Sequence, residues 1–154
     1  MQYKIREMKD SDIVFVGKIE ADIFSDSWSE ASLRSSLEQE HVRMTVAEAC
    51  ENKEILGYHI FYISIDEGDV ARIAVLPACR RRGIAEALLE EMWEHCQGLN
   101  VKRVLLEVRE SNENAIALYE KQGFSSLGVR KGYYQEPLEN GVIMEKQIDI
   151  TTSI

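Results

Sequence analysis

The sequence predicts an α/β domain with a mixed central sheet, and three observations predict it. Apolar runs of period two alternate with stretches of period near 3.6. Short polar turns of hairpin type separate the middle runs. One apolar run, Ile73-Ala74-Val75-Leu76-Pro77, passes through a basic loop, Arg80-Arg81-Arg82-Gly83, into an amphipathic helix. That last arrangement is a parallel crossover, which should be right-handed. With 154 residues, 45% hydrophobic and 29% charged, one domain is the economical division. It is expected over residues 1–149, with 150–154 a frayed tail.

The elements follow in order. Residues 3–8 alternate as a first strand. Asp10-Ser11-Asp12 offers an N-cap for a helix to about residue 24, with Ile13, Val16, Ile19 and Ile23 on one side. Ser27 and Glu30 have capping-box spacing and open a second helix to about residue 39. Strands are expected over 43–49, 57–65 and 70–76, with turns at 51–54 and 66–69 between them. Beyond the basic loop, Ile84, Leu88, Met92 and Cys96 recur every four residues, and Gly98 ends that helix. A strand over 103–108 follows, then a helix capped by Ser111 or Asn112 that runs through 121 and stops at Gly123. Residues 124–129 and 142–148 close the sheet. The order is β-α-α-β-β-β-α-β-α-β-β.

Composition narrows the partners. Against 18 Lys+Arg there are 27 Asp+Glu, a formal net charge of −9. Such a chain repels long polyanions, so nucleic-acid binding is disfavoured. No apolar run is long enough to span a bilayer and the first residues do not open a signal peptide, so a cytoplasmic protein is expected. Cys50, Cys79 and Cys96 lack a C-x-x-C spacing, and His41, His59 and His95 are scattered. Neither a disulfide framework nor a metal site is expected.

The basic loop is the local exception to the acidic field. The first N–H groups of a helix have no internal partners and carry partial positive charge. Gly83 lets an oxygen-rich ligand approach the backbone, and the arginines add charge. A cradle for a small anion such as a pyrophosphate is expected there, with its ligand at the carboxyl end of the preceding strand.

Several residues sit where their type is unexpected. Glu107 interrupts the apolar strand Val104-Leu105-Leu106-Glu107-Val108 and faces away from Val104, Leu106 and Val108. It reads either as a partly desolvated base or as an ion pair at the strand end, with Arg109 or Lys102. Tyr119, beside Ile116 and Gly123 on its helix, either fills core or donates a proton. A phenol of pKa about 10 suits a thiolate leaving group of pKa about 8.5. Asn112 reads as a cap. Tyr133-Tyr134 and Trp28 are either loop aromatics or the lip of a binding site.

Together these residues resemble the GNAT (Gcn5-related N-acetyltransferase) superfamily, within it most closely the branch that acetylates ribosomal-protein N-termini. The matching pieces are Arg72–Pro77, then Arg80-Arg81-Arg82-Gly83-Ile84-Ala85 as an R/Q-x-x-G-x-G/A signature. Leu106-Glu107-Val108-Arg109, Ser111-Asn112, Ala115-Ile116-Ala117-Leu118-Tyr119, Gly123-Phe124, Arg130–Tyr134 and Val142-Ile143-Met144 follow in register. Trp28-Ser29-Glu30 matches the loop between the first two helices. Gln135 after the Tyr-Tyr pair, and Asn140-Gly141 before the last strand, depart from the family's usual Pro and Asp-Ala.

The resemblance implies acetyl-coenzyme A as co-substrate, with no metal. Backbone groups of Ile73, Ala74 and Val75 would hold the acetyl and pantetheine portion. The loop Arg80, Arg81, Arg82, Gly83, Ile84, Ala85 and Glu86 would hold the pyrophosphate, chiefly through its amides, and Asn112 would touch the pantetheine arm. Glu107 would deprotonate the acceptor amine and Tyr119 would protonate the departing thiolate. Trp28, Tyr133 and Tyr134 would contact the acceptor, a protein N-terminus and by that resemblance a ribosomal one. Acetylation of lysine side chains or small amines, and a non-catalytic acyl-CoA-binding module, are the other readings.

Overall fold

The computed structural model describes residues 2–148; the tail expected over 150–154 lies outside them. In chain order the elements are β1 (Tyr3–Glu7), α1 (Ile13–Ile23), α2 (Glu30–Leu37), β2 (Val42–Ala49), β3 (Ile55–Ser64) and β4 (Glu67–Val75). Then come α3 (Ile84–Gln97), β5 (Arg103–Arg109), α4 (Glu113–Lys121), β6 (Ser125–Tyr134) and β7 (Glu139–Gln147). The strands form one seven-stranded sheet in the order β1-β2-β3-β4-β5-β7-β6. Neighbours are antiparallel except β4 and β5, which are parallel and joined through α3.

Helices cover both faces, so each strand's alternation sends residues into one of two cores. Tyr58 and Ile60 pack with Ile13, Val16, Ile19 and Leu33 under α1 and α2. On the opposite face Phe61, Val104 and Leu106 pack with Leu89 and Met92 of α3 and Tyr119 of α4. Among the described residues no helix is long and apolar enough to cross a membrane, and no group of His, Cys, Asp and Glu could hold a metal.

Three sequence expectations need correction. The cap of α2 is Ser29, whose Oγ accepts from Ser32 N at 3.1 Å, and not Ser27. β6 runs on to Tyr134, so the tyrosine pair lies on a strand. Pairing with β7 supplies ladder partners that local propensity does not reveal. The turn expected over 66–69 is shorter, because β4 already begins at Glu67 and Ile65 takes the positive φ of 56°.

Gly68 therefore lies inside a central strand. A Cβ there would sit 2.3 Å from Phe61 Cζ and 2.7 Å from Cε1. Gly68→Ala is expected to lower stability by about 1–3 kcal/mol through overpacking. Thermal melting checks it: an unchanged Tm would show that the Phe61 ring moves aside freely.

The sheet's most consequential feature is an opening between its two central strands. β4 and β5 pair only from Glu67 with Arg103 to Val70 with Leu106. On β4's other side the register with β3 slips between Ile60 and Phe61, so Ala71 is an extra residue opposite that step. A bulge bends its strand and increases the local twist. Beyond it β4 continues to Val75 and β5 to Arg109 without pairing to each other.

Candidate active site

The opening in the sheet is the floor of a cavity of about 600 Å³. Its lining includes Ile73, Glu107, Asn112, Tyr119, Trp28, Tyr133 and Tyr134. The structure thus brings together residues that the sequence distributes over more than a hundred positions. The basic loop follows the end of β4, and its residues Arg80–Glu86 are not part of the cavity lining.

On the β4 wall, Leu76 N donates to Leu56 O. Antiparallel ladders alternate, so Ile73 and Val75 aim their N–H and C=O groups away from β3, into the opening. Ala74, expected beside them, is turned the other way by the same alternation, and its side chain is buried in core. Arg80, expected to face a pyrophosphate, instead donates from Nε to Val75 O at 3.1 Å.

The loop that follows is shaped for an anion. Arg81 (φ 65°) and Gly83 (φ 79°) both take left-handed conformations, which turn successive N–H groups into a concave nest. Gly83 is the N-cap of α3. The first helical bond runs from Ala87 N to Gly83 O, leaving the N–H groups of Ile84, Ala85 and Glu86 without helical acceptors. The Glu86 side chain points elsewhere, to Lys121 Nζ at 3.3 Å, and Ile84 is buried in core.

On the β5 wall, Glu107 alternates out of the core, as its position in the strand implies. Its partner is neither Arg109 nor Lys102 but Arg130 of β6, with Nη1 3.1 Å from Oε1. Oε2 is out of solvent and has no hydrogen-bond partner among the described residues. One oxygen is therefore oriented by a guanidinium and the other remains to accept a proton. Asp69 also lines the cavity. It pairs with Leu105, two residues before Glu107, so both acids face one side of the sheet. Partial desolvation, with Glu107 nearby, raises its carboxyl above the usual range.

Tyr119 packs its ring edge-on against Phe124 and is buried, which pushes its phenol well above the ordinary value. Its ring belongs to the core cluster, and the residue also lines the cavity wall. Asn112 caps α4, its Oδ1 accepting from Ala115 N at 3.2 Å.

Two segments close over the opening. Tyr133 and Tyr134 meet edge to face at 4.9 Å. The Tyr133 phenol is raised chiefly by Glu107 beside it, and burial pushes Tyr134 up to about 12. Arg109 fastens the turn after them, donating to Gln135 O at 3.1 Å and Pro137 O at 2.9 Å, with its guanidinium 4.6 Å from the Tyr134 ring centre. The second segment, between α1 and α2, carries Trp28, which stacks on Tyr62 and donates from its backbone to Glu20 Oε2 at 2.8 Å. Sequence reasoning missed Arg109 as a loop anchor, and also Asp69, Glu20, Arg72 and Arg130. Glu20 alone left a signal, an acid among the apolar positions of α1.

Comparison with known proteins shows the family and the fold. The sequence model of the acetyltransferase (GNAT) family matches residues 13–124. The [ribosomal protein bS18]-alanine N-acetyltransferase of Escherichia coli (strain K12) is 30% identical over 148 residues, 95% of this chain and 98% of that protein. The crystal structure of the Escherichia coli ribosomal-protein-S18-alanine N-acetyltransferase superposes with a TM-score of 0.87 at 29% identity, covering 99% of this chain and 97% of the other. Arabidopsis thaliana NAA60, solved in complex with acetyl-CoA, shares the fold alone: TM-score 0.85, 20% identity, 96% and 99% covered.

Proposed function

The chain belongs to the acetyltransferase (GNAT) family, and on that premise we propose that it moves the acetyl group of acetyl-coenzyme A to the N-terminal α-amine of a protein. The acceptor in this reading is a ribosomal protein, the substrate named for its Escherichia coli relative (the RimI type), and the reaction takes place in the cytoplasm. The observation that carries the reading is the unpaired stretch between β4 and β5. An extended thioester arm can lie along Ile73 and Val75 as an added strand, while Glu107 faces the same opening from the other side.

In this mechanism the nest at Arg81–Glu86 holds the pyrophosphate on backbone amides, and the nearby arginines add positive charge. An α-amine of pKa about 8 is largely protonated at neutral pH, so Glu107 takes its proton, directly or through water, before attack. The Val75 N–H stabilises the oxyanion that forms at the thioester carbon. Tyr119 then gives its proton to the leaving thiolate. Burial makes its phenol a weaker acid, but a thiolate expelled into the same desolvated wall is itself a stronger base. Asn112 lies along the pantetheine arm, and Trp28, Tyr133 and Tyr134 flank the acceptor.

A thiol-release assay with acetyl-CoA and a panel of N-terminal peptides, internal lysines and polyamines tests the reading. Turnover on Ala-starting peptides is the expected result; turnover confined to polyamines or lysines, or binding without turnover, overturns it. Tyr119→Phe is expected to lower kcat by about tenfold, since water can replace part of a general acid's contribution. Coenzyme affinity should stay nearly constant, as calorimetry would register; a collapse of affinity would make the hydroxyl a binding group.

A further inference from the structure

Arg72 lies on β4 directly after the bulged Ala71, where the bend carries its side chain beneath the segment that joins α1 to α2. Its anchor is Glu20, which is 0% exposed. Glu20 receives Arg72 Nε at 3.0 Å and Nη2 at 3.3 Å, together with Tyr58 Oη at 2.6 Å and Trp28 N at 2.8 Å. Nη2 also donates to Asp26 O at 2.9 Å. The guanidinium carbon lies 4.0 Å from the Phe24 ring centre and 5.3 Å from that of Trp28. One guanidinium thus sets the position of Phe24, Asp26 and Trp28, all three of which line the cavity.

Its third nitrogen is not consumed by that task. Nε and Nη2 have acceptors, whereas Nη1 donates to no group among the described residues, and Arg72 itself lines the cavity. A planar cation fixed on two sides and retaining a donor matches a carbonyl oxygen. Glu107 stands across the opening on β5, and Asp69 lies on β4 itself where the opening begins; both line the cavity and suit an ammonium group. A protein N-terminus carries both features in the matching order, a charged amine and, one carbon further, the first peptide carbonyl. A polyamine has no carbonyl, and a lysine side chain holds its own several bonds away.

We propose that Arg72 is a specificity-determining residue on the acceptor side, which fastens the α1–α2 segment over the cavity and donates from Nη1 to the first peptide carbonyl of the acceptor. This rests on the N-terminal acetyl transfer argued above. It explains a preference for α-amines through a group the acceptor's backbone always carries, whatever its first side chain.

The test compares an Ala-starting peptide with the same peptide whose first carbonyl is reduced to methylene, in the wild type and in Arg72→Lys. Lysine keeps the charge opposite Glu20 but cannot bond Glu20, Asp26 and a ligand at once. The wild type is expected to favour the intact peptide by about tenfold or more in kcat/KM, the scale on which a hydrogen-bonding site rejects an analogue lacking its partner. In Arg72→Lys that preference should collapse through a raised peptide KM, with acetyl-CoA affinity unchanged. The double variant Glu20→Gln/Arg72→Gln removes the buried charges together and guards against a lysine variant that fails to fold; it should show the same collapse. Equal use of both acceptors by the wild type, or an intact preference in a folded variant, overturns the proposal and leaves N-acetyl transfer standing. A wild type that binds acetyl-CoA yet acetylates no peptide overturns the underlying reading, and this one with it.

Discussion

Glu107→Gln is expected to lower kcat on a peptide acceptor by roughly a hundredfold at pH 7, the lower end of what a positioned general base contributes. The variant keeps an oxygen for Arg130 and nearly the same shape, so the loss isolates proton transfer. The pH profile supplies the sign. An α-amine titrates near pH 8, so below that value most acceptor is protonated and depends on the carboxylate. Above it the amine arrives neutral, and the deficit should shrink steadily as pH rises toward about 9. Stability should hardly change, because the ion pair with Arg130 is partly solvated, at 55% and 28% exposure, and pairs of that kind contribute little. Steady-state rates across that range decide it. A variant with wild-type turnover at pH 7, or a deficit that stays constant with pH, removes Glu107 as the base.

Gly83→Val is expected to lower acetyl-CoA affinity by at least about tenfold, the equivalent of losing one charge-assisted hydrogen bond. Among the described residues nothing excludes a Cβ there, since the nearest atom to it is Tyr3 Oη at 3.9 Å. The penalty has two other sources. A β-branched residue at φ 79° is strained by roughly 1–3 kcal/mol. Its methyl groups would also stand over the amides that face the pyrophosphate. Calorimetric titration with acetyl-CoA, alongside a melting curve, separates the two. Unaltered affinity in a folded variant would mean that the diphosphate is held elsewhere.

Parts of the candidate site's framework could be read from local pattern. Gly83 at the head of an amphipathic run marks a helix N-terminus whatever surrounds it, and Glu107 stands out because a strand's alternation makes one acid among four apolar residues conspicuous. Both signals are properties of a few neighbouring residues. The opening between β4 and β5 is not. It follows from the extra residue at Ala71 and from where pairing with Leu106 ends, and these depend on strands far apart in sequence. The same distance hid the partner of Glu107. Lys102 and Arg109 are its sequence neighbours, but Arg130 reaches it through the fold, while Arg109 is drawn away to hold Gln135 and Pro137. The left-handed turn at Arg81 escaped notice for a different reason. Left-handed backbone is associated with glycine, and nothing in an arginine's type announces φ 65°. Glu20 and Arg72 form a unit that only the packed core defines: an acid from α1 and a base from β4 meet beneath Trp28.

In the proposed mechanism a backbone nest at the start of α3 grips the diphosphate of the acetyl carrier and so sets its thioester against Glu107. The most direct measurement is a pair of calorimetric titrations, with acetyl-CoA and with S-acetylpantetheine, which keeps the acetylated arm but lacks the diphosphate and the adenosine 3′-phosphate beyond it. Both are run on the wild type and on Gly83→Val, in which the difference should shrink. Acetyl-CoA should bind tighter by about two orders of magnitude, the yield of one or two charge-assisted hydrogen bonds. Equal affinities, or no binding of acetyl-CoA by folded protein, would contradict the account.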